Sequence, residues 1–93
     1  MLALILAALV TALASVPALI VVDETGAPVV AAVVRFSTPG GQVDAEVTAA
    51  DGSASPRAAF AATEATVEAP GFEPAHVTLA SPRLRVVLRR ATQ

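Results

Sequence analysis

The stretch Ala69-Pro70-Gly71-Phe72 decides how this chain is to be read. It follows a short alternating segment, Ala65-Thr66-Val67-Glu68, and precedes another, Ala75-His76-Val77-Thr78-Leu79. Proline presets one backbone angle and glycine accepts conformations closed to other residues, so together they end one extended segment and start the next. Phe72 is then placed to plug that end of a core. Working outward, Val22-Asp23-Glu24-Thr25-Gly26-Ala27-Pro28 and Asp51-Gly52 are further turn signals, each separating apolar runs of strand length.

Between these turns the side chains alternate as strands require. Ala18-Leu19-Ile20-Val21-Val22 is a β-branched run that stops at the acidic pair Asp23-Glu24. Val29 to Ser37 reads as a second strand, with Ala32, Val34 and Phe36 toward the core and Val33 and Arg35 on the other face. After the break at Thr38-Pro39-Gly40-Gly41, residues 42–49 set Val43, Ala45 and Val47 against Asp44, Glu46 and Thr48. That pattern predicts a half-exposed antiparallel strand with its apolar side inward. Ser53 to Ala62 is poor in large apolar groups apart from Phe60 and reads as an irregular strand or loop; its alanine run is too short for a stable helix. The pair around Pro70-Gly71-Phe72 offers Val67, Val77 and Leu79 to the core. The last strand alternates Leu84, Val86 and Leu88 with Arg83, Arg85, Val87 and Arg89. Short strands with turns every ~8–12 residues predict an all-β fold, a small sandwich.

The chain has 93 residues and no cysteine, so a disulfide, a lipid-modified cysteine leader and every thiolate metal or redox site are excluded. Its formal charge is −2, with all eight acids between Asp23 and Glu73 and four of the six arginines at Arg83, Arg85, Arg89 and Arg90. The body is acidic and the tail basic. A basic tail suits phosphate or anionic lipid headgroups, and equally the solvated face of a final strand. With no Trp or Tyr and three Phe, the aromatic platforms of nucleic-acid binding are missing, and no nucleic-acid partner is expected.

From Met1 to Val22 no charged side chain occurs. This apolar stretch predicts a leader helix, with cleavage candidates at Ala12-Leu13-Ala14 and Val16-Pro17-Ala18. It departs from a signal peptide in carrying no Lys or Arg near its start. The competing reading is a retained membrane anchor, since 22 uncharged residues exceed the roughly 20 a span requires. Pro17 opposes that reading by interrupting the last turns of such a helix. The expected organisation is therefore residues 1–18 as signal peptide or N-terminal anchor, 19–90 as one domain, and 91–93 as a tail. Either way, export to the periplasm or outer membrane is expected. A domain under eighty residues without staples rarely supplies more than roughly 3–5 kcal/mol of stability.

In order and spacing these pieces resemble the carboxypeptidase regulatory-like domain, found in exported bacterial proteins and at the amino end of many TonB-dependent outer-membrane transporters. Ile20 to Pro28 is similar to the family's opening strand and turn, Ala31-Ala32-Val33-Val34 to its next strand, and Asp51-Gly52 to its Asp-Gly turn. Ala69-Pro70-Gly71-Phe72 matches its later Gly-aromatic element, and Leu84 to Leu88 its closing strand. The chain departs from the pattern where Ala31 stands in place of a usual glycine, and where Ala54 stands in place of an aromatic soon after the Asp-Gly turn. The resemblance implies a transthyretin-like fold: an antiparallel Greek-key β-sandwich of about seven strands, preceded here by the hydrophobic leader helix.

Despite its name, that domain is not a peptidase, and the resemblance implies a structural or docking role. The chain would then be the N-terminal extension of a transporter, or alternatively a free-standing periplasmic or surface binder holding protein, peptide or glycan by a strand edge or loops. A small transthyretin-like hydrolase is the enzymatic alternative, disfavoured because the chain ends Arg89-Arg90-Ala91-Thr92-Gln93 rather than in that group's Tyr-Arg-Gly-Ser tail. His76 is the sole histidine, which excludes a two-histidine zinc site, and it is expected to face outward, opposite Val77. Asp44, Glu46 and Asp51 flank one hairpin but are too few and too scattered for a calcium loop. No catalytic, cofactor-binding or metal-ligating residue is expected, and no cofactor. A membrane contact is expected only through an uncleaved N-terminal segment.

Overall fold

The computed structural model describes residues 18–80 and 83–91. The expected leader, apart from Ala18, and most of the 91–93 tail lie outside these residues. Those described form seven strands and no helix: β1 Ala18–Asp23, β2 Val33–Ser37, β3 Val43–Val47, β4 Ser53–Ala54, β5 Glu64–Glu68, β6 Ala75–Thr78 and β7 Arg83–Leu88. They make two sheets, one ordered β4-β1-β7 and the other β3-β2-β5-β6. Leu19, Val21, Val86 and Leu88 from the first sheet and Val34, Phe36, Ala65 and Val67 from the second fill a single core. The expected all-β, two-layer architecture is therefore present.

Not every pairing is antiparallel. β1 and β7 run parallel over six residue pairs, from Ala18↔Arg83 to Asp23↔Leu88, which corrects the wholly antiparallel sandwich expected from sequence. A parallel pair needs a long connection between its strands. Here the connection is everything from β2 to β6, so the first and last strands close the domain on each other. The remaining strand pairs are antiparallel.

Both tight turns flanking β1 use the same device. Asp23 Oδ1 accepts hydrogen bonds from Thr25 N (2.8 Å), Thr25 Oγ1 (2.5 Å) and Ala27 N (3.1 Å). Asp51 Oδ1 accepts from Ser53 N (3.0 Å) and Ser53 Oγ (2.6 Å). An aspartate followed two residues later by a hydroxyl residue folds the backbone through its own carboxylate. The second turn also docks on β1, because Val21 N donates to Gly52 O at 2.8 Å. A Cβ added to Gly52 would lie 2.4 Å from the Val21 carbonyl oxygen, and its φ is +81°. No other residue fits there.

The second strand is shorter than expected. Val29 is buried, but strand pairing starts at Val33, and between them Ala31 has φ 63°, in the left-handed region. The cause is Thr48, which is 4% exposed. Its hydroxyl donates to Val29 O (2.7 Å) and accepts from Ala32 N (2.9 Å), while its backbone N donates to Ala32 O (2.9 Å) and its carbonyl accepts from Ala31 N (3.2 Å). A buried hydroxyl must be satisfied, and this one holds the chain in a kink.

Thr48 also decides the facing of β3, and the result reverses the expectation. Because strand side chains alternate, pointing Thr48 inward points Asp44 and Glu46 inward with it. In register they lie opposite Phe36 and Val34, both fully buried. Val43 and Val47, expected to face the core, are 56% and 61% exposed. β3 is an edge strand, so the two carboxylates still reach water past the rim. Inward-pointing charge on an edge strand also discourages edge-to-edge association.

The weak segment after β4 is a loop, as expected, with Phe60 7% exposed in the core and the Arg57 guanidinium 5.1 Å from its ring centre. Phe72 packs half-buried against the core and forms an antiparallel bridge with Arg90, whose guanidinium lies 5.3 Å from its ring centre.

Two substitutions test this account by thermal unfolding. Gly52→Ala meets the Val21 carbonyl and is expected to remove about 2–4 kcal/mol, most of what so small a domain holds. Ala31→Gly is expected to raise the midpoint by a few degrees, since relief of a left-handed alanine, roughly 1–2 kcal/mol, exceeds glycine's entropic cost of about 0.5–1 kcal/mol.

Candidate functional site

His76 faces outward, as expected, and the structure gives it two partners. Its register places it directly across from Thr66 on β5, with Glu64 one pleat further along. His76 Nδ1 lies 3.1 Å from Thr66 Oγ1 and Nε2 lies 3.1 Å from Glu64 Oε1. Hydroxyl, imidazole and carboxylate thus stand in relay order, the convergence the sequence offered no spacing signal to find. Thr66 and Glu64 are two apart on one strand and His76 is on its neighbour. Only the hairpin register aligns them.

Relay order is one of several things acyl transfer requires. Thr66 sits in the middle of β5, which is paired on one side with β2 and on the other with β6, so the backbone N–H groups near it are committed to the sheet. An oxyanion needs donors that are free and aimed at it. The His76 and Glu64 side chains are 62% and 50% exposed, so the hydrogen bonds are made in water rather than in a dry pocket. The same face carries the Arg35–Glu68 ion pair, both side chains about half exposed. These are cross-strand pairs of a solvated sheet face, of the kind that contribute tenths of a kcal/mol to about 1 kcal/mol each.

The acids suggested by the first hairpin separate into two places. Asp44 and Glu46 share the inner side of β3, and Asp44 Oδ2 accepts a hydrogen bond from Arg57 N at 2.9 Å. Asp51 is engaged with Ser53 in its turn. Among the described residues no group of three His, Cys, Asp or Glu is placed to hold a metal ion. The hydrogen bond with Asp44, reinforced by its charge, holds the Glu46 carboxyl above its ordinary value of 4.5. The opposite holds at the turns: hydrogen bonds from the Thr25 and Ser53 side chains place Asp23 and Asp51 below their ordinary 3.8.

Shallow clefts lie elsewhere among the described residues. One, of about 330 Å³, is on the outer face of the three-stranded sheet, lined by Ile20, Val22, Gly26, Arg83, Leu84 and Arg85. Another, of similar volume, lies beside the Pro70-Gly71 turn, lined by Val33, Glu68, Ala69, Pro70, Phe72 and Pro74. Neither includes Thr66, His76 or Glu64. The first combines an aliphatic floor with two guanidinium groups and is the better candidate for binding. Arg83 and Arg85 were legible as polar alternates of the last strand, but not their meeting with Ile20 and Val22, because nothing local says that the last strand pairs with the first. No model of a known protein family matches the chain, and no curated protein matches it.

The carboxylate shifts set the sign of the pH dependence. Asp23 and Asp51 contribute stability that is present above 3.8 and lost as pH falls through their lower folded values. Glu46 acts oppositely: the folded state prefers it protonated, so stability rises as pH falls through its raised value toward 4.5. Thermal midpoints measured from pH 7 to pH 2.5 are expected to rise slightly and then fall. Glu46→Gln flattens the upper limb alone, and Asp23→Asn with Asp51→Asn flattens the acid limb. In the same assay His76→Ala is expected to shift the midpoint by no more than a few degrees.

Proposed function

We propose that the chain is an exported, non-enzymatic β-sandwich module of the carboxypeptidase regulatory-like kind, serving a structural or docking role. The observation that carries this reading is the junction at Ala18. Seventeen uncharged residues run without a linker into β1, where Leu19 and Val21 are fully buried. Whatever hydrophobic environment receives that segment therefore hands the chain directly to the central strand of a folded sheet. Cleavage after Ala14 would leave β1 whole, and cleavage after Ala18 would leave it lacking one residue.

Two further features support the family reading. Ala31, at the position where that family usually carries glycine, has the left-handed φ that glycine favours. Phe60 occupies the core in place of the aromatic missing after Asp51-Gly52. The solvated setting of His76 and the committed backbone around Thr66 support a docking role over hydrolysis. In its finer form the module is the amino-terminal extension of an outer-membrane transporter.

Fractionation tests the proposal. An antibody to residues 23–90 is expected to detect the native chain in the periplasmic or outer-membrane fraction. A much larger outer-membrane species marks the transporter extension, and a small soluble species shortened at Ala14 or Ala18 marks a free-standing module. A full-length species confined to the cytoplasm overturns the proposal.

A further inference from the structure

The outer face of the β4-β1-β7 sheet differs in kind from that of the other sheet. On β1 it presents Ile20, 43% exposed, and on β7 Val87, 49% exposed, with Val22 in the cleft floor between the turn and β7. Arg83 and Arg85 stand along the same face, and the Arg85 guanidinium reaches the first turn, 3.5 Å from where a Gly26 side chain would begin. Arg85 makes no ion pair among the described residues. The nearby acid Glu24 is 3.9 Å from Arg89, and the Asp23 carboxylate is occupied by its own turn. The outer face of β2, β5 and β6 carries Glu64, Glu68, Arg35 and His76 instead. One side of the sandwich is cationic and aliphatic, the other mixed and solvated.

The parallel register adds position to this chemistry. Ala18 pairs with Arg83 and Ile20 with Arg85. The start of β7 is thereby brought beside the start of β1, the point at which the seventeen-residue uncharged segment ends. Arg83 and Arg85 thus pair with β1 within three residues of that segment's end. We propose that this face docks on an anionic lipid surface. Arg83 and Arg85 engage headgroup phosphates, to which the planar guanidinium fork is well matched, and Ile20 and Val87 enter the boundary between headgroups and acyl chains. The inference rests on the export reading above, because it needs the apolar segment to reach a membrane.

Attachment by residues 1–17 alone would tether the sandwich without orienting it, so the test reads orientation. The chain contains no cysteine, so single cysteines can be placed in full-length protein at Val87→Cys and, as a matched valine on the other sheet, at Val43→Cys. Each is labelled with an environment-sensitive fluorophore and reconstituted with vesicles of phosphatidylcholine, with or without a third of phosphatidylglycerol. Circular dichroism checks that each variant is folded. The label at residue 87 is expected to shift blue and be quenched by lipid-borne quencher in the anionic vesicles only, while that at residue 43 stays in water. Arg83→Gln with Arg85→Gln is expected to weaken the binding read at residue 87 about 25-fold, at roughly fivefold per arginine. Arg83→Lys with Arg85→Lys should retain more of it than the glutamine pair does, because the charge is kept while the fork is lost, and added salt should weaken it.

Equal responses at residues 43 and 87, or no response at residue 87, overturn the inference. So does shielding of residue 87 that needs no vesicles and grows with protein concentration, which would make the face an interface between two copies. Failure here with the chain still found in the cell envelope leaves export standing. A cytoplasmic chain whose face still binds anionic vesicles separates the two readings the other way.

Discussion

The parallel pairing of β1 with β7 is the constraint on which the rest depends. It joins the two ends of the domain through six residue pairs, across everything from β2 to β6. Closing so long a loop is entropically costly and slow, and the cost is recovered only when Leu19 and Val21 meet Val86 and Leu88 in the core. With no disulfide to hold the ends together, burial of these aliphatic side chains, worth about 1.5–3 kcal/mol each, does the work a covalent bond performs in many small disulfide-bonded domains.

A single buried hydroxyl exerts comparable control over the second sheet. Thr48 satisfies the Val29 carbonyl and the Ala32 amide at once, and satisfying it forces three consequences. Ala31 enters the left-handed region, β2 begins at Val33 rather than Val29, and β3 turns its acids inward. The exposed valines that result are a small cost at an edge strand. An unpaired hydroxyl and amide inside the core would cost more, about 1–3 kcal/mol for each group left unsatisfied.

The two outer faces carry different chemistry from equally simple patterns. On the four-stranded sheet, polar residues meet across strands and neutralise one another, as His76 does with Glu64 and Arg35 with Glu68. On the three-stranded sheet the polar alternates of β7 are arginines, and their neighbours on β1 are aliphatic. Opposed charges leave a solvated surface, whereas arginines beside aliphatic groups give the other face the mixed character on which the proposed lipid docking rests. That contrast is why the relay-like trio around His76 reads as sheet chemistry and the face around Ile20 as the proposed docking surface.

Sequence alone determined most of the strands along the chain, the turns that separate them and most of the core. Alternation identified Val34, Phe36, Val67, Val86 and Leu88 as inward, and all five are buried. Asp23, Gly26, Asp51, Gly52, Pro70 and Gly71 marked the turns, because their backbone preferences act within a few residues. What sequence could not determine was partnership. Val43, Ala45 and Val47 form as good an apolar face as any in the chain, yet they point outward, since the Thr48 hydroxyl finds its partners in a different strand's approach. The parallel β1–β7 pair, the meeting of Arg85 with Ile20 and the alignment of Thr66, His76 and Glu64 were likewise settled by tertiary structure. The period of a strand is set by its own backbone, but its neighbour and its register are set by contacts far away along the chain, and those contacts leave no local trace.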